Sequence, residues 1–325
     1  MATYKEIQGQ SVVNASSDVS SEGQVFYNVP GNAFKLSTLT TAAWATSGNI
    51  PGGGGTTMGG FGTQTAAVSA GGEPGASPPK PPQSNAVYEY NGSTWTSGNA
   101  IPVAKREMAG GAGTESAGLI CGGFSYPPFS IKTGTEEYDG TNWTSGGALS
   151  TGLQGKGCLG TQTAALAFGG ASPTVPPSTI TEEYNGSSWT GGGSLSAGTS
   201  SISGCGTQTA GLIAGASGLG ATQEYNGTSW TAGGALTTPR GTTRGATQAT
   251  QTAGMIIGGA TTPNNTELYD GTSFSVTANL NTARAVGNGA GEATAGLYFA
   301  GDNDKDGTEE FTGAGLAQTE TIDVT

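Results

Sequence analysis

The chain contains no histidine. That absence removes Ser-His-Asp and Cys-His catalytic arrangements, histidine-held zinc or copper, and the commonest general base. Charge is scarce as well: only 10% of residues are Asp, Glu, Lys or Arg, and 11 basic against 23 acidic residues leave a net charge of −12. An acidic balance of this size speaks against the phosphate backbone of nucleic acid and against an anionic membrane surface as partners. No stretch approaches the roughly 20 apolar residues of a membrane-spanning helix. The opening MATYKEIQGQSVV has no basic region followed by an apolar run, so synthesis in a cytoplasm without a secretory leader is expected. The three cysteines, Cys121, Cys158 and Cys205, show no Cys-x-x-Cys spacing and read as small buried hydrophobes.

What the chain has in excess is glycine, 60 of 325 residues, with 15 prolines. In a linker such residues need no order, but here they recur in register. TEEYDGTNWTSGGAL (Thr135–Leu149) returns as TEEYNGSSWTGGGSL (Thr181–Leu195) and TQEYNGTSWTAGGAL (Thr222–Leu236). The aromatic of this phrase falls at Trp44, Trp95, Trp143, Trp189, Trp230 and Phe274, at spacings of 51, 48, 46, 41 and 44 residues. Those periods suit propeller blades and are too long for leucine-rich repeats.

Each repeat reads as four strands. A glycine-rich segment leads through a turn such as GTQTA (Gly62–Ala66, Gly160–Ala164, Gly206–Ala210) into an apolar run such as AALAFGG (Ala164–Gly170). A variable loop follows, then Glu-Glu-Tyr, an Asn-Gly or Asp-Gly turn, and the Trp strand. The Asn-Gly and Asp-Gly pairs predict two-residue type I′ hairpins. The glycines of the first strand suit an inner position where blades crowd. Trp44 has no Tyr strand before it, and Thr308–Phe311 has no Trp strand after it. The two orphans complete one blade if the chain closes into a ring, which also removes the exposed sheet edges. The expected fold is therefore all-β: a six-bladed propeller over residues 41–312, closed by pairing of N- and C-terminal strands, with an N-terminal arm (1–40) and a C-terminal tail (313–325).

Gly-Gly after an apolar strand, a Tyr before a turn, a Trp opening the last strand and Pro-x-x-x-Arg at Pro102–Arg106 together resemble kelch repeats. The arginine is missing from several blades, so its contacts cannot be carried to all of them. The Thr/Ser/Gly-rich version also resembles propellers encoded by tailed phages of marine bacteria. Outside the repeat, GQVFYNVPGNAF (residues 23–34) is similar to an N-terminal segment of phage fibre and virion-associated proteins. That resemblance implies a virion location, with residues 1–40 anchoring the chain to other virion proteins or to copies of itself. Val25, Phe26 and Tyr27 are the candidate contacts there, being too apolar for a tail without a partner.

Chemistry is sparse in what remains. Glu89, Glu137, Glu183, Glu224 and Glu310 share one slot of the repeat, and a residue written into almost every blade serves the blade, whereas catalysis needs one unique constellation. No catalytic residue and no organic cofactor is expected, and the chain reads as a non-enzyme. One candidate metal site stands out. Asp302, Asp304, Asp306 and Gly307 carry calcium-loop spacing with Glu310 as a further ligand, although Gly313 occupies the position of the closing glutamate. Beside the calcium reading stands that of an ordinary polar loop.

The long loops 73–86, 124–134 and 171–180 are proline-rich and fall on one face of the disc. Loops on a rigid scaffold are common recognition sites. Phe124, Tyr126 and Phe129 are the candidate contacts, for a host-surface glycan or receptor. The functional expectation is a phage structural or appendage protein: tail fibre, neck or capsid decoration. The alternative is a free carbohydrate-binding or carbohydrate-degrading propeller.

Overall fold

A computed structural model describes residues 13–15, 25–28, 33–39, 41–74, 83–108, 110–216, 220–260, 263–314 and 317–321. They divide into two compact units, Trp44–Phe311 and the chain ends on either side of it.

The larger unit is a six-bladed propeller. Blade 1 runs Gly59–Gly62, Ala67–Ala70, Val87–Tyr90, Trp95–Gly98, and blade 2 Ala112–Thr114, Ala117–Cys121, Thr135–Tyr138, Trp143–Ser145. Blade 3 is Gly157–Thr161, Ala164–Phe168, Thr181–Tyr184, Trp189–Gly191, and blade 4 Gly204–Thr207, Ala210–Ala216, Ala221–Tyr225, Trp230–Ala232. Blade 5 is Arg244–Gly245, Gly254–Ile257, Thr266–Tyr269, Phe274–Val276. Blade 6 takes Asn288–Gly291, Ala295–Phe299 and Thr308–Thr312 from the end of the ring and Ala43–Thr46 from its start. The orphan strands do complete each other. The rings of Trp44 and Phe311 lie 5.2 Å apart, much as Tyr184 and Trp189 lie 4.8 Å apart within blade 3.

Why the first strand must be glycine-rich is visible at Gly245 and Gly289. A Cβ on Gly245 would sit 2.5 Å from the backbone of Gly204, and one on Gly289 the same distance from the Gly245 carbonyl. Consecutive inner strands touch in a closed circuit around the axis, so any side chain there would push blades apart. The second strands, such as Leu119–Ile120 and Leu212–Ile213, are buried on both faces between neighbouring sheets.

The turn between third and outer strands differs from the expected type I′ hairpin. Tyr90 pairs with Trp95, leaving four loop residues. Gly92 alone takes a positive φ (90°), while the Asn91 carboxamide accepts from the Ser93 and Thr94 amides at 3.1 and 2.9 Å. Asn and Asp therefore serve as acceptors that fold the loop on itself, which their short polar side chains do well.

The tryptophans bind blade to blade. Nε1 of Trp95, Trp189, Trp230 and Trp44 donates to the hydroxyl of Thr308, Thr135, Thr181 and Thr266, the threonine opening the third strand of the preceding blade. Blade 1 has Val87 in that place, and Trp143 turns to the Asn99 carbonyl. Phe274 has no N–H to give, and Thr222 Oγ1 is left buried without a partner. Phe274→Trp should supply the missing donor and raise stability by about 1 kcal/mol, moving the thermal midpoint up by roughly 2 °C. A midpoint unchanged or lowered in calorimetry would contradict this pairing rule.

The smaller unit is a four-stranded sheet of its own. Val13–Ala15 runs parallel to Val25–Asn28, which pairs antiparallel with Ala33–Leu39. Where the sequence suggested a separate tail, Ala317–Thr321 is the antiparallel partner of Ala33–Leu39. Nothing in the repeat pattern signals that pairing, because neither strand belongs to the repeat.

Candidate functional site

The repeated carboxylates are fully occupied. The Tyr90 hydroxyl donates to Glu310, Tyr138 to Glu89, Tyr184 to Glu137 at 2.5 Å, Tyr225 to Glu183 and Tyr269 to Glu224, each reaching from one blade to the one before. In the sixth pair Phe311 replaces the tyrosine and Leu268 replaces the glutamate, so donor and acceptor vanish together. The other glutamate of the phrase binds a buried cation: Glu136 with Lys105, Glu182 with Lys156 at 3.1 Å, Glu267 with Arg240, and Glu309 with Arg284 at 3.1 Å. Blade 4 carries Gln223 instead, which accepts from the Ser196 amide and hydroxyl at 2.8 and 2.9 Å.

These contacts tie stability to pH. Burial opposes ionisation of Glu182, but Lys156 and the Ser150 hydroxyl and amide outweigh it and hold the carboxyl below its ordinary 4.5. A depressed folded value gives stability that is complete above 4.5 and lost as pH falls through the lower folded value. Burial and then the Glu310 hydrogen bond push Tyr90 up to about 12, and burial and Glu183 push Tyr225 up to about 12. Raised values give stability present below the ordinary 10 and lost as pH rises toward 12. Urea midpoints should therefore fall below about pH 4.5 and above about pH 10. A midpoint flat through either limb would contradict the assignment for that limb.

The glutamine of GTQTA has a role that sequence reasoning left out. Nε2 of Gln64, Gln162, Gln208 and Gln251 each donates to two backbone carbonyls of the preceding blade, for Gln162 those of Gly118 and Tyr138 at 3.0 and 2.7 Å. The blade 5 turn is also longer than its neighbours: Gly245 pairs with Ile256 where the equivalent Gly204 pairs with Ile213. The extra residues place Gln248 across the axis, its Nε2 donating to Gly113 O of the opposite blade at 2.7 Å, with Thr247 donating to Gly62 O at 3.4 Å. The doubled phrase ATQATQTA was the signal for this crossbar.

The calcium-loop carboxylates do not converge. Asp302 accepts from the Ala285 amide at 2.8 Å, Asp304 pairs with Arg284 at 2.8 Å, Asp306 accepts from Asn49 at 3.3 Å, and Glu310 receives Tyr90 and Ser47. Among the described residues no three acidic or cysteine side chains gather as a metal site.

The loop face is as the hairpin order requires: the connection after each second strand and the one leading into each inner strand emerge together. There Phe124 is buried, lying 5.1 Å from the Phe129 ring and 4.8 Å beneath the Arg106 guanidinium. It supports the loop and is not an exposed contact, because the two short strands Phe124–Ser125 and Ser130–Ile131 fold back over it. Arg106 in turn pairs with Glu73 at 2.5 Å, and it is the adjacent Lys105 that fills the buried cation place of blade 2. Tyr126 (55% exposed) and Phe129 (43%) do face solvent, and the Tyr126 amide is tied to Gln83 at 2.8 Å. Residues 75–82 of the first loop lie outside the described residues. In the terminal sheet Tyr27 is half-buried against Phe34, ring to ring at 5.2 Å. Val25 and Phe26 occupy the same strand, and their side chains lie outside the described residues.

No known family model matches the chain, and no curated protein matches it. Among solved structures, the one described as "Structure of YjhT" is similar with a TM-score of 0.60 at 12% identity, covering 84% of this chain and 99% of that one. At that identity the likeness establishes the fold. The chain is a β-propeller.

Proposed function

We propose that the protein is a non-enzymatic structural or appendage protein of a phage particle, displaying its propeller from an attachment unit formed by the chain ends. The observation that carries this reading is the separate sheet in which Ala33–Leu39 is flanked by Val25–Asn28 and Ala317–Thr321. Among the described residues its outermost strands are Val13–Ala15 and Ala317–Thr321, and the edge of a sheet is where strand addition, a common mode of docking one chain on another, takes place. The similarity of residues 23–34 to phage fibre proteins supports the particle as the docking partner. The repeated glutamates, engaged in holding blades together, support a scaffold in place of a catalyst.

The test is removal of residues 1–40. The shortened chain should remain a folded propeller by circular dichroism yet fail to sediment with phage particles. Incorporation without those residues would refute the attachment role. Exposed Tyr126 and Phe129 favour a second reading, a free carbohydrate-binding propeller, since such rings stack on sugars. Glycan binding lost in Tyr126→Ala, by a protein absent from particles, would select that reading.

A further inference from the structure

Two departures from the repeat meet across the seam between blades 2 and 3. One place at the inner strand is glycine in five blades: Gly60, Gly111, Gly204, Gly245 and Gly289. Blade 3 alone carries a side chain there, Cys158. A Cβ on Gly60 would sit 2.7 Å from the Phe299 ring, and one on Gly289 3.4 Å from the Ile257 side chain. The place therefore looks onto the end of the second strand in the preceding blade. In blade 2 that end is Cys121, and no other blade has cysteine there. A feature found once in the ring, on both sides of one seam, is not explained by the blade plan.

The third cysteine marks the contrast. Cys205 stands one residue nearer its turn glycine than Cys158 does, so its side chain leaves the opposite face of the sheet. It packs toward blade 5, its sulfur 3.9 Å from the Thr250 carbonyl oxygen.

Cys121 and Cys158 are free and buried in one apolar cluster with Ala112, Leu149, Ala165 and Ala167. Their sulfurs are close enough for the Cys158 thiol to donate a hydrogen bond to Cys121. That bond is the largest influence holding Cys121 below its ordinary 9.0; burial opposes it, and the ammonium groups of Lys105 and Lys156 add to it. The same bond, and then burial, push Cys158 well above 9.0. Burial pushes Cys205 up to about 12. A thiol favoured as thiolate beside cations is the reactive one of a set, and a second thiol in contact with it is placed to resolve its oxidised form.

We propose that Cys121 and Cys158 are a peroxide-reactive pair whose product is a disulfide joining blades 2 and 3. The Cys121 sulfur attacks one oxygen of hydrogen peroxide: an S–O bond forms, the O–O bond breaks, and the leaving hydroxide departs as water with the proton the thiol gave up. The Cys158 sulfur then attacks the Cys121 sulfur: an S–S bond forms, the S–O bond breaks, and a second water carries away the Cys158 proton. The two thiols are oxidised to one disulfide, and the peroxide is reduced to two waters. Contact between the sulfurs lets the second step outrun further oxidation of Cys121 to sulfinic acid. The proposal is independent of how the chain is attached to any particle.

The test is exposure of the full chain to hydrogen peroxide, followed by denaturation, alkylation with iodoacetamide and peptide mass spectrometry. Only Cys205 should be alkylated, with Cys121 and Cys158 recovered in one linked peptide, and dithiothreitol should restore alkylation of all three. Closing the loop between residues 121 and 158 should raise the thermal midpoint by about 5 °C. Cys121→Ala and Cys158→Gly install residues that other blades carry at these places, Ala70 and Gly204, so both should fold. In neither should peroxide yield a linked peptide or move the midpoint. Three alkylated cysteines after peroxide, a linkage through Cys205, sulfinic acid at Cys121 without linkage, or a linked chain whose midpoint has not risen would each overturn the proposal.

Discussion

A chain ending at Gly307 should lose cooperative unfolding altogether. Removing 308–325 takes away the third strand of blade 6, the only strand that joins Ala43–Thr46 to the rest of its sheet. Arg284 would lose Glu309, Trp95 would lose the Thr308 hydroxyl, and Tyr90 would lose Glu310. Two edges of the ring would stand open, and in a repeat architecture each blade draws its stability from contact with its neighbours. The control is a chain ending at Thr312, which spares that strand and removes Ala317–Thr321; its propeller should still melt in one transition. Calorimetry distinguishes the two. A chain ending at Gly307 that melts like the full protein would contradict closure through the terminal strands.

Glu267→Ala should cost about 3–5 kcal/mol, among the largest losses available to a single substitution here. Both partners of the Arg240–Glu267 pair are fully buried. Glu267 also accepts from the Thr237 amide and hydroxyl at 2.7 and 2.8 Å and from the Thr238 amide at 3.3 Å, so its removal strands a cation and three donors at once. The magnitude comes from the uncompensated charge and not from the attraction of the pair, since desolvation offsets much of that. Replacing both partners, as Arg240→Met with Glu267→Leu, should therefore cost clearly less than Glu267→Ala alone. Urea midpoints of the three variants check this. A double replacement at least as damaging as the single one would show that the pair itself holds the blade.

The ring was legible in the sequence because a propeller writes its geometry repeatedly. Six aromatics in register, glycines where inner strands meet and two unmatched strands at the ends suffice to count and close the blades. The blade-to-blade chemistry was half legible. That Glu89 and its equivalents serve structure follows from repetition alone, but their tyrosine partners lie in the neighbouring blade, 49 residues away for Glu89 and 220 for Glu310, and only folding brings them together. Phe124 was misjudged because an aromatic in a proline-rich loop looks exposed until the loop folds back on it. The positions just ahead of the inner strands were not legible: Thr57, Glu107, Gly155, Ser201, Thr242 and Val286 have no common letter, and what unites them is a left-handed backbone conformation. The pairing of Ala33–Leu39 with Ala317–Thr321 was hidden for a similar reason, since it joins two unrepeated segments from opposite ends of the chain.

The functional account stands on display from a phage particle, and immunogold electron microscopy of purified particles, with antibody raised against the propeller, tests it most directly. The account predicts gold on intact particles at one recurring location, lost when residues 1–40 are deleted. Particles free of label, with all of the protein recovered in the soluble fraction, would contradict it.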